Sequence, residues 1–263
     1  MEFYLAVPLK QNMVTRHHPG VGTPVVLVHG SLLDQRLFDG LLPHLGHRPR
    51  WIPDLRGHGN STCAADYSWE HVIDDVVDLM RTIDRPVHMV GVSMGGMLAV
   101  EVALREPALF SSMALIGTSV DGETQETLAR AQFFSAAIAE QGLQALAMQI
   151  TALFLGQAAQ QVTLVEAVAQ QILSVSTENA LRCIRAMIQR KDLRTRIPEI
   201  TIPTLAIWGA NDGIISAARC RDTAERFVRH VVLEVPEAGH LVGCEQPELI
   251  SNELLNLWAL TDV

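Results

Sequence analysis

A serine flanked by glycines, Gly91-Val92-Ser93-Met94-Gly95, stands between an apolar run and a helix-forming one. A hydroxyl held on such a corner, with a base in reach, is a nucleophile for acyl transfer; the same serine in a glycine-rich turn could instead cap the helix. A base and an orienting acid have candidates further along. His240 follows Gly239 in a loop after an apolar run, and Asp212 lies in the turn Trp208-Gly209-Ala210-Asn211-Asp212-Gly213. Alone, either would read as a surface or turn residue. Their order speaks for chemistry: Ser93, Asp212 and His240 run nucleophile, acid, base, each at the carboxyl end of an apolar run. Asp121 also follows such an end and competes with Asp212. His29, which closes the run Pro24 to Gly30, reads as a structural, hydrogen-bonded histidine. The loop after it can aim the Ser31 N–H, together with the Met94 N–H, at a developing oxyanion. The charged, glycine-containing stretch Asp54 to Ser61 reads as a structural turn.

These residues need elements to hold them. Continuous apolar runs at Pro24–Gly30, Arg50–Asp54, Pro86–Val92, Ser112–Gly117, Thr204–Gly209 and His230–Val235 predict strands covered on both faces. Helical patterns at Asp34–Leu45, Trp69–Ile83, Met94–Arg105, Ala217–Phe227 and Pro247–Leu260 alternate with them. The alternation implies an α/β fold, a mostly parallel sheet with helices on both faces. Phe3–Val7 and Met13–His17 read as an antiparallel edge. Residues 121–200 show helical pattern and no strand, which predicts a helical cap inserted into a core of residues 1–120 and 201–263. Leu32, Phe133, Phe134, Met148, Phe154, Ile214 and Leu241 are the candidates for a substrate pocket beneath that cap.

Composition narrows the classes. The 263 residues carry a net charge of −9, with no cluster of Lys and Arg suited to nucleic acid. Cys63, Cys183, Cys220 and Cys244 are far apart and read as buried free thiols, which fits a reducing compartment. Glu2 stands where a signal peptide wants a positive charge, Pro8 breaks the first apolar stretch, and no run is long enough for a membrane span. The expectation is a cytoplasmic protein. Nothing in the sequence indicates an oligomeric state.

His-Gly-Ser at 29–31, Asp54 to Ser61, Gly91 to Gly96, Trp208 to Gly213 and Ala-Gly-His at 238–240 together resemble the α/β-hydrolases of the small, capped esterase and lactonase type, along nearly the whole chain. The resemblance implies that Ser93 attacks an ester or lactone, His240 takes its proton, Asp212 orients the imidazole, and no metal or organic cofactor takes part. A serine nucleophile disfavours the dehalogenase and epoxide-hydrolase branches, which attack through Asp. Carbon–carbon bond hydrolysis ranks second, because Val92 stands where such relatives often carry Asn. Cofactor-free perhydrolase chemistry and a slow ligand-binding protein of the same fold remain open. Few Arg or Lys precede Arg182 in the cap, so the expected substrate is small, mainly apolar and uncharged; Arg185 and Arg190 leave an anionic one open.

Overall fold

Seven strands form one sheet in a computed structural model that describes residues 13–63, 67–122 and 124–262. They are β1 (Thr15–His18), β2 (Val25–Val28), β3 (Arg50–Pro53), β4 (Val87–Val92), β5 (Phe110–Ile116), β6 (Thr204–Gly209) and β7 (His230–Val235). The order is β1-β3-β2-β4-β5-β6-β7; β1 lies antiparallel to β3 and every other pairing is parallel. The edge expected at Met13–His17 is β1, while the one expected at Phe3–Val7 lies outside the described residues.

Continuous apolar strands are what a doubly covered sheet requires, and alternate side chains divide accordingly. Val26, Val28, Met89 and Met113 pack with helices α1 (Trp69–Thr82) and α2 (Met94–Arg105). Val25, Leu27, Val90 and Ala114 pack with the C-terminal helix and with the segment between β5 and β6. β7 departs from the expectation of a strand covered on both faces. It is the last strand of the sheet, and Val231 and Val232 are 57% and 48% exposed. An apolar run does not reveal whether its strand is central or at an edge.

Four helices lie between β5 and β6: α3 (Gln125–Gln141), α4 (Leu143–Leu155), α5 (Val162–Ser174) and α6 (Thr177–Ile188). α4 packs on α5, and α3 on α6. The chain ends in α7 (Ala217–Ala224), the short α8 (Val242–Glu245) and α9 (Pro247–Thr261). The helix expected over Asp34–Leu45 is two 3₁₀ turns, Gln35–Phe38 and Leu42–His44. Gly40 and Pro43 interrupt the pattern there, and both disfavour a helix interior. All four cysteines are free; Cys183 and Cys220 are buried, whereas Cys63 and Cys244 are only half-buried. No helix among the described residues is long and apolar enough to cross a membrane.

Candidate active site

Ser93 is the hinge between β4 and α2, and it sits at φ 54°, ψ −115°. A side chain at positive φ is strained, and such strain persists only where surrounding structure imposes it. Backbone contacts do so here. A Cβ on Gly91 would lie 2.3 Å from the Gly95 carbonyl oxygen, and one on Gly95 would lie 2.1 Å from the Val28 carbonyl oxygen. The Ser93 N–H donates to the Ile116 carbonyl at 2.8 Å, and the Thr118 hydroxyl donates to the Ser93 carbonyl at 3.2 Å. The Ser93 side chain makes no capping bond to α2, so its hydroxyl is not spent on the helix.

The acid and base candidates meet. His240 Nδ1 lies 2.7 Å from Asp212 Oδ2, with the two side chains 2% and 0% exposed. The other Asp212 oxygen accepts from the amides of Ile214 and Ile215 at 2.7 and 2.9 Å. Bonds of this kind lock the carboxylate in place and leave it facing the ring. The imidazole stands against the end of β5, where a Cβ on Gly117 would come within 3.1 Å of His240 Nδ1. Ser93 bonds to Ile116, one residue earlier, so serine and histidine share one corner of the sheet edge. Behind the ring, both Glu245 carboxylate oxygens accept from the Gly239 amide, at 2.9 and 3.1 Å. Burial pushes the Glu245 carboxyl up to about 7, and the charge of Asp212 adds to the effect. Asp121, the competing acid, is held elsewhere: its carboxylate accepts two bonds from Arg219, at 2.8 and 2.9 Å.

The loop carrying Ser31 is braced by two imidazoles. His29 Nε2 accepts from the Leu55 amide at 2.9 Å, and His58 Nε2 accepts from the Leu32 amide at 3.2 Å. Each Nδ1 faces a carbonyl oxygen, Gly30 at 2.7 Å and Arg56 at 3.0 Å, so each ring carries its proton there and is neutral. Burial lowers His29 to about 4 and His58 to about 3, which keeps both acceptors available. Asp54 adds further bonds, accepting from the Gln35 amide at 2.8 Å, the Gln35 side chain at 3.0 Å, the Asn60 amide at 2.9 Å and the Asn60 side chain at 3.5 Å. The turn read as structural thus props the loop on which Leu32 adopts φ 63°. The sequence showed two turns but not that they are cross-linked.

A cavity of about 260 Å³ opens above Ser93, between the sheet edge and α3, α4 and α6. Of the residues expected there, Leu32, Phe134, Phe154 and Ile214 line it, together with Ser31. Phe133, Met148 and Leu241 do not, and the pocket expectation is corrected for these three. Phe133 is 72% and Met148 59% exposed, on the outer sides of α3 and α4. Leu241 is buried in the core beneath the histidine loop. One helical step turns a side chain by about 100°, which here carries Phe133 out of the face that Phe134 shares with Ala131 and Ile138. The spacing Thr127, Arg130, Ala131, Phe134, Ile138 marks the lining face of α3, a helical periodicity present in the sequence. Arg130 and Arg219 are also on the wall, a placement that no local pattern marks.

A doubly covered sheet whose strand ends carry Ser93, Asp212 and His240 in that order is the architecture of the α/β-hydrolases. The chain belongs to that family: residues 25–253 match the alpha/beta hydrolase family. It is similar to 3-oxoadipate enol-lactonase 2 of Acinetobacter baylyi, 31% identical over 76% of this chain and 74% of the relative. It is also similar to the dihydrolipoyllysine-residue acetyltransferase component of an acetoin cleaving system from Pseudomonas putida, 32% identical over 89% of this chain; the match spans 63% of that longer protein. Among solved structures, a thermophilic esterase from Thermogutta terrifontis superposes with a TM-score of 0.88, at 22% identity and full coverage of both chains.

Proposed function

We propose that this protein is a serine hydrolase that cleaves a carboxylic ester or lactone of a small, mainly apolar substrate through an acyl-enzyme. The observation that carries the reading is the buried Asp212–His240 pair, at 2.7 Å, on the same corner of the sheet as a serine held at positive φ. His240 Nε2 takes the Ser93 proton as the oxygen attacks the carbonyl. Asp212 holds the proton on Nδ1 and stabilises the imidazolium that forms. The amides of Ser31 and Met94 receive the oxyanion, and His240 then protonates the leaving alcohol. Water, activated by the same imidazole, releases the acid.

Residues 121–200 act in this reading as a cap that sets substrate range while the chemistry stays on the sheet. A cavity of about 260 Å³ suits a small substrate, since sites for small molecules run roughly from 300 to 1,000 Å³. Similarity to an enol-lactonase supports including lactones. The deciding experiment pairs p-nitrophenyl acetate hydrolysis with active-site phosphonate labelling, read by mass spectrometry on wild type and Ser93→Ala. A label on Ser93 and a loss of at least about 10³-fold in kcat are expected. Turnover within tenfold of wild type by folded Ser93→Ala ends the proposal.

A further inference from the structure

Every charged side chain lining the cavity, among the described residues, is an arginine: Arg130, Arg190 and Arg219. In a chain with 29 acidic and 20 basic residues that is the reverse of the general balance. The three converge from distant parts of the sequence. Arg219, on α7, is paired with the Asp121 carboxylate, and Arg190, just past α6, donates to the Asp121 carbonyl at 3.1 Å. Arg130, on α3, donates to the carbonyl oxygens of Ile214 and Gly213, at 2.5 and 3.4 Å. The hydroxyl-bearing residues Ser119 and Thr127 line the same wall, and the remainder is mostly apolar, with Ile138, Ile150, Phe154 and Ile184.

A second cleft makes the contrast clear. Arg56, Arg81 and Arg105 line it, but there Asp75 and Glu106 line it as well. Arg56 meets Asp75 at 2.6 Å and Arg81 meets Glu106, so the cleft balances its own charge. In the cavity above Ser93, Asp121 pairs with Arg219, and among the described residues no acidic side chain lines the wall. Arg130, at the exposed rim of the cavity, gives its N–H groups to neutral carbonyls, beside the apolar wall. A carboxylate there would gain a charge-assisted, two-pronged bond that a neutral chain end cannot supply.

We propose that the substrate is an ester or lactone bearing a second group, a carboxylate, and that Arg130 is the specificity-determining residue that reads it. The apolar wall holds the carbon chain between that carboxylate and the carbonyl attacked by Ser93. This rests on the hydrolase reading and narrows it. It differs from the uncharged ester expected from the sequence, because α7 supplies one arginine from outside the inserted segment and α3 turns another inward.

The test compares kcat/KM for the monomethyl esters of glutarate and adipate with that for methyl pentanoate and methyl hexanoate, on wild type, Arg130→Ala and Arg130→Lys. Wild type should prefer the charged esters at least tenfold, with the preference shrinking in 0.5 M NaCl as screening sets in. Arg130→Ala should remove most of that ratio, chiefly through KM, and Arg130→Lys should keep part of it. Equal rates on charged and neutral esters by wild type overturn the proposal, as does an Arg130→Ala loss that falls alike on both. If Arg130→Ala does not fold, the wild-type ratio and its salt dependence decide alone. Hydrolysis of p-nitrophenyl acetate in the same preparation separates the two readings: Ser93-dependent activity on acetate without a charge preference sinks this inference only. No Ser93-dependent hydrolysis of any ester sinks both.

Discussion

The strand ends and the helical segment above them hold their residues by different means. At the strand ends, each candidate group is fixed by hydrogen bonds and close contacts to backbone: Ser93 by the glycines around it and by Ile116, Asp212 by two amides, and the Ser31 loop and its neighbouring turn by amides that donate to His29, His58 and Asp54. Along α3 only Ile138 is buried, and its inward face is held by side-chain packing around a cavity. Backbone bonds define atoms to within a fraction of an ångström, whereas side-chain packing defines a shape. The first suits bond-making and the second suits choice among substrates. The two regions also touch, since the Phe154 carbonyl at the end of α4 accepts from the His240 amide at 2.8 Å.

The largest effect that could break this division is at the acid. Asp212→Asn should lower kcat on p-nitrophenyl esters by about 10⁴, the size seen when a serine protease loses the charge that sets its histidine tautomer. Asp121→Asn should cost far less, because that carboxylate serves Arg219 rather than an imidazole. Steady-state kinetics on both variants decide; a greater loss at Asp121 would reassign the acid.

An intermediate effect sits in the imidazole brace of the Ser31 loop and reads out as stability. His58 is lowered to about 3 from 6.5 by burial. As pH falls below 6.5, the unfolded chain takes up a proton that the folded protein refuses, so stability is lost from about pH 6.5 down towards 3. His58→Gln lacks this titration. The stability of wild type relative to the variant should therefore fall by about 1.4 kcal/mol per pH unit through that window. Urea midpoints at pH 7.5, 5.5 and 4.5 measure it. Parallel pH dependences would mean that His58 charges in the native state and is no brace.

The smallest effects should lie in the helical segment, and adjacent residues sharpen the contrast. Phe134→Ala should raise KM and alter chain-length preference severalfold, since Phe134 lines the cavity. Phe133→Ala, 72% exposed, should leave both within about twofold and shift stability by no more than about 0.5 kcal/mol. Kinetics on an ester series beside melting curves test the pair. Equal effects from both would mean that α3 sits in another rotation during turnover.

Much of the fold and of the candidate site could be read from order alone. Apolar runs alternating with helical stretches imply a doubly covered parallel sheet, since each strand must bury two faces. A glycine-flanked serine after such a run, followed in order by an acid and a histidine at later run ends, places three reactive groups at one edge, because parallel strands all end on the same side. Local pattern failed where the answer depended on neighbours. It could not say that β7 is an edge, that the helix expected over Asp34–Leu45 is two 3₁₀ turns, or that Phe133 faces outward while Phe134 faces in. Nor could it pair His58 with Leu32, bring Arg190 and Arg219 to Asp121, or set Arg130 on the same cavity wall. Those contacts join residues from 26 to 98 positions apart, or elements of different helices, and no periodicity records them. The order of elements along the chain determined which groups share an edge; only the packing of distant segments decided which of them face one another and which face water.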